Sequence, residues 1–168
     1  VKIFCIEQLA QLSGGRIAED LVKIVSRENV DPAVYQRAGE MIVSRHDKAA
    51  IPLYLETLKT HASFVDGTQS RAVDIMARAL GDLRAPEAVQ PLLLHLTDHE
   101  TPMRAVVEII RALIAIGDPS VVEPLRDFLL TYRCDPEFTK SPEAVTLAAE
   151  GLLKLGGGPV ELLRQRLQ

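Results

Sequence analysis

The stretch Pro86–Asp118, PEAVQPLLLHLTDHETPMRAVVEIIRALIAIGD, decides the fold. Val89, Leu92, Leu93 and Leu96 fall at i, i+3, i+4 and i+7, one apolar face of a helix. Val106, Ile109, Ile110, Leu113 and Ile116 repeat that spacing on a second helix. Pro86 suits a first helical turn, where its missing N–H is not needed. Gly117 suits a left-handed C-cap, and Asp118-Pro119 supplies the N-cap and N1 of another helix. The link Asp98 to Pro102 is short, so the two helices pack as antiparallel neighbours. Leu94, Val107 and Ile114 lie off the main stripes, more apolar surface than one partner covers. Further hairpins stacked on each side are expected to bury it.

Working outward, the chain is an imperfect repetition of this unit. Helices are expected over residues 1–13, Ile17 to about Ser26, Pro32 onward, Lys48 to Lys59, Arg71 to Leu83, the reference pair, Val121 onward, Ser141 to Leu155 and Val160 to Leu167. Leu9, Met41, Leu80, Leu113 and Leu152 fall at equivalent places, 32, 39, 33 and 39 residues apart. Pro52, Pro91 and Pro124 recur at spacings of 39 and 33. Longer loops after the fourth and eighth helices, His61 to Gln69 and Tyr132 to Ser141, explain the unevenness. The expected fold is all-α, a single array over residues 1–168 of about ten helices in four to five hairpins.

Composition agrees. Hydrophobic residues make up 47% of the 168, with no Trp, three Tyr and four Phe, so the core is aliphatic, as layered helices require. The net charge of −4 lacks the cationic field of a nucleic-acid binder. No apolar run reaches membrane-spanning length. Cys5 and Cys134 lie near opposite ends of the array, too far apart for a disulfide, so nothing requires an oxidising compartment; a cytoplasmic location is expected, with an export signal upstream of Val1 as the alternative. The start at Val1 rather than Met, and the apolar end helices 1–13 and 160–167, point to a fragment of a longer chain or to self-association through the ends.

The unit resembles a HEAT repeat, especially the short bacterial kind also seen in phycobilin lyases. The residues that carry the likeness are the in-helix prolines (Pro52, Pro91, Pro124), Asp98 at the hairpin turn, Arg71 and Arg104 opening second helices, and the exit Ala112, Leu113, Gly117, Asp118, Pro119. Pro32 and Glu143 stand where the opening Arg would be in two units, and Asp20 stands at the Pro position of the first. The resemblance implies a right-handed solenoid whose second helices line a concave face.

On that face Arg71, Arg78, Arg104 and Arg111 occupy equivalent turns of adjacent units, with Glu108 among them. Arginine suits bidentate capture of carboxylate or phosphate, so a basic centre binding an acidic segment of a partner protein is one reading. The competing reading has Arg71 and Arg104 bracing the stack against turn carboxylates such as Asp98. Phe64 and Phe138, one in each long loop, are candidate partner anchors along an edge, or rings folded over a hairpin end.

Catalytic signals are sparse. His95 and His99 share i, i+4 spacing beside Asp98 and Glu100, but Pro102 ends the helix near them and no second His or Cys pair is close, so no metal is expected. Helical-repeat deoxyhypusine hydroxylases carry several His-Glu pairs; this chain has one, His99-Glu100. Cys134 stands beside Arg133 without an adjacent His. Gly156 to Gly158 ends a helix and lacks a phosphate loop's Lys-Ser/Thr. The expected function is a non-catalytic protein-interaction scaffold without cofactors, binding neither nucleic acid nor membrane. The alternative is an enzyme or chaperone like the HEAT-repeat lyases, handling a tetrapyrrole.

Overall fold

The computed structural model describes residues 16–27, 29–60, 72–98, 101–131 and 142–156. They form eight α-helices: α1 (Ile17–Val25), α2 (Pro32–Ser44), α3 (Ile51–Thr60), α4 (Val73–Asp82), α5 (Val89–Thr97), α6 (Met103–Ile116), α7 (Val122–Thr131) and α8 (Pro142–Lys154). No strand occurs among the described residues. Each helix matches one expected from periodicity. The expected end helices 1–13 and 160–167 lie outside the described residues. So do both long loops.

The helices build two layers. Sequence neighbours pair as hairpins: α1 with α2, α3 with α4, α5 with α6, and α7 with α8. Along the array, α1, α3, α5 and α7 touch in succession, and so do α2, α4, α6 and α8. Packing is closest in the even layer, above all between α4 and α6. Ile42, Leu80, Leu113 and Leu152, four residues before the left-handed residues that end these helices, are all buried; Met41, expected in that register, comes one residue early and is buried too. Full burial of such a side chain contributes about 2 kcal/mol. Val107 is buried as stacking requires, but Leu94 is 66% exposed, contrary to expectation, because it points away from both layers.

The odd helices share an entry. A short 3₁₀ turn precedes α3, α5 and α7 at Lys48–Ala50, Pro86–Ala88 and Pro119–Val121. Asp47 and Asp118 cap two of these turns, accepting from the amides of Ala49 and Ser120 at 3.0 and 2.8 Å. Asp31 likewise caps α2 through the Ala33 amide at 2.9 Å. The 3₁₀ starts at 48, 86 and 119 correct the proline register. Leu53, not Pro52, stands where Pro91 and Pro124 stand, and Pro52 comes one residue early.

The chain leaves α2, α4, α6 and α8 through left-handed residues at one register position. These are His46 (φ 46°), Arg84 (φ 50°), Gly117 (φ 76°) and Gly156 (φ 83°). Glycine adopts that conformation freely, while His46 and Arg84 carry a Cβ into it.

Candidate functional site

The even layer presents a ladder of charged side chains. Asp74 on α4 accepts a hydrogen bond from the Tyr35 hydroxyl on α2. It also meets Arg104 on α6 at 3.7 Å, and the Arg104 guanidinium lies over the Tyr35 ring, 5.6 Å from its centroid. One step along, Arg78 on α4 lies 4.0 Å from Glu108 on α6. Arg111 donates to Glu108 at 2.7 Å, one turn away on α6, and bonds Glu143 on α8 as well. The Arg111–Glu108 pair lies within α6 and the Arg104–Tyr35 contact reaches from α6 past α4 to α2; every other link joins neighbouring helices of the layer.

This corrects the expected basic centre. Arg78, Arg104 and Arg111 alternate with Asp74, Glu108 and Glu143, so the face is balanced rather than cationic. Arg104 meets Asp74 on the helix of the preceding unit, where the competing reading set it against a turn carboxylate such as Asp98. The pairs are exposed at one or both ends, so each adds well under 1 kcal/mol; their value is in register and specificity. Arg71, Phe64 and Phe138 lie outside the described residues.

Beside the ladder lies a depression of about 190 Å³ at the α4–α6 junction. Val43, Gly81, Ala112 and Ala115 supply small apolar surface, and Arg78, Asp82, Glu108 and Arg111 supply charge. Sequence reasoning named both arginines and Glu108. It missed the depression, because the shortness of Gly81 and Ala112 matters only once their helices touch.

His95 belongs to the core. It is 4% exposed, and its register position is held by Thr57 in α3 and Phe128 in α7, both buried. Its Nε2 lies 3.0 Å from the Leu58 carbonyl, which can only accept, so Nε2 carries the proton. The ring thus satisfies one of the carbonyls left open at the end of α3. His99 and Glu100 lie outside the described residues, as do Cys5 and Cys134. No group of three or more His, Cys, Asp or Glu that could hold a metal ion occurs among the described residues.

Tyr54, on α3, is buried and its hydroxyl finds no hydrogen-bond partner among the described residues. Burial pushes its phenol from 10.0 up to about 12; Asp47 adds to the rise and Arg45 opposes it. The folded state therefore favours the protonated phenol. That stability is whole below pH 10 and fades as pH rises through about 12. Tyr54→Phe should remove this alkaline loss, read by thermal melts from pH 9 to 12.

Two stretches of the chain match a known repeat. Residues 75–98 and 106–131 match the family model of the PBS lyase HEAT-like repeat. The first match runs from α4 into α5 and the second from α6 into α7. Each therefore takes an even helix, its left-handed exit and the following odd helix, where the hairpin Pro86–Asp118 cuts the same array half a unit later. A comparison with curated proteins finds no match. These two stretches of an all-helical repeat array are thus similar to HEAT-like repeats. No helix among the described residues is long and apolar enough to cross a membrane.

Proposed function

We propose that the chain is a non-catalytic, cytoplasmic protein-interaction scaffold that binds its partner on the even-helix face. The observation that carries this reading is the charge ladder from Tyr35 through Asp74 and Arg104, and from Arg78 through Glu108 and Arg111 to Glu143. A row of alternating charges on a packed helical layer selects partners by complementarity more than by raw affinity. In this reading the layer winds as a right-handed solenoid, and the long loops bearing Phe64 and Phe138 form a second contact edge.

The tetrapyrrole-handling alternative rests on the name of the matching repeat. A depression of about 190 Å³ suits one side chain better than four linked pyrroles. Affinity capture from the source lysate, followed by direct binding of each recovered protein to purified wild type and Arg78→Glu/Arg111→Glu, tests the proposal. A partner that binds wild type and loses affinity for the double variant supports it. A partner that binds both equally moves the interface off this face. A coloured ligand carried through without protein would favour the alternative.

A further inference from the structure

We infer that the depression at the α4–α6 junction takes one aliphatic side chain of an acidic partner segment, whose neighbouring carboxylate pairs with Arg78. This rests on the interaction reading above and specifies the chemistry recognised.

The argument starts from how the depression arises. A Cβ built on Gly81 would stand 2.7 Å from the Ala112 Cα, so backbone meets backbone there. Ala112 and Ala115 on α6 and Val43 on α2 complete a low apolar floor. At the next junction Ile114 of α6 fills the notch over Gly151 of α8, its Cδ1 2.5 Å from a built Cβ. At α4–α6 Ala112 itself occupies the space over Gly81, its Cβ 2.8 Å from the built Cβ, and among the depression's lining residues no side chain longer than alanine's reaches over that contact. A volume of about 190 Å³ matches a branched aliphatic group, since an apolar cavity of about 150 Å³ admits benzene.

The rim decides what accompanies that group. Arg111 is engaged on both sides, by Glu108 and Glu143. Glu108 is drawn to Arg111 at 2.7 Å, and Arg78 approaches it only through Nε at 4.0 Å. Among the described residues no hydrogen bond holds Arg78, whose one ion pair runs through Nε, so the terminal nitrogens of its guanidinium keep their donors. A planar fork with unspent donors beside an apolar floor suits a carboxylate. Asp82, four residues along α4 on the same rim, repels a second acid and so sets the segment's direction.

The probe is N-acetyl-leucine, which joins an isobutyl group to a carboxylate, followed by amide chemical shifts of the labelled protein. N-acetyl-leucinamide lacks the charge, and acetate lacks the side chain. N-acetyl-leucine should shift the Gly81, Ala112 and Ala115 amides and saturate at millimolar concentration, with several-fold weaker binding of each control. Arg78→Gln should reduce N-acetyl-leucine to the level of the amide and leave the amide's own weak binding unchanged. The Arg78 side chain is 44% exposed, so the variant should fold, and an unchanged melting temperature checks this. Equal binding of acid and amide, or shifts elsewhere only, overturns the inference even if the double variant loses its protein partner. Selective binding of N-acetyl-leucine without any captured partner would support the site and leave the scaffold reading to fail by itself.

Discussion

The α4–α6 and α6–α8 junctions use the same pair of register positions and fill them in opposite ways. At the first, Gly81 faces Ala112; at the second, Ile114 faces Gly151. One junction brings two backbones together, and the other lets a side chain lie in a glycine notch. A backbone cannot retreat without moving its helix, whereas an isoleucine can rotate. The same contact is therefore rigid on the side of α6 that meets α4 and adaptable on the side that meets α8. The rigid one leaves the depression beside the arginines.

The largest expected effect breaks the rigid junction. Gly81→Ala puts a methyl 2.8 Å from the Ala112 Cβ and against its backbone. Overpacking of this kind should lower stability by about 2 to 3 kcal/mol, read from the denaturant midpoint. An unchanged midpoint would mean that α4 and α6 do not approach so closely.

A double-mutant cycle sharpens the adaptable junction. Gly151→Ala alone should destabilise, since the new methyl meets Ile114 Cδ1 and Cγ1 at 2.5 and 2.6 Å. In an Ile114→Ala background the same change should stabilise, because the notch is then vacant and Ala favours the helix. The expected coupling is about 1.5 kcal/mol. Additive effects would show that the two residues do not share the site.

The smallest effect compares the exits of the same helices. Arg84 after α4 and Gly117 after α6 hold one left-handed position. Arg84→Gly should raise stability by about 0.5 kcal/mol, and Gly117→Ala should lower it by about 1 kcal/mol. Thermal melts of the two variants moving in the same direction would contradict the register.

The order of the eight described helices was legible because hydrophobic periodicity is local and strong. Val106, Ile109, Ile110 and Leu113 could serve only one helix face, and all four are buried. The exits at Gly117 and Gly156 carried a composition signal, but His46 and Arg84 hid the same geometry behind residues that seldom adopt it. Of the site, the sequence named Arg78, Arg104, Arg111 and Glu108. It did not pair them, because partners such as Arg111 and Glu143 lie 32 residues apart and meet only when helices stack.

The sequence by itself determined that this is a layered array of helical hairpins, since turn chemistry and apolar spacing repeat along the chain. Tertiary structure alone decided that the even face is charge-balanced, that Leu94 faces outward and His95 inward, and that a depression lies beside one junction. Those outcomes depend on how closely particular helices approach one another. Gly81 and Gly151 are the same residue, and only the atoms opposite them make one a backbone contact and the other a notch.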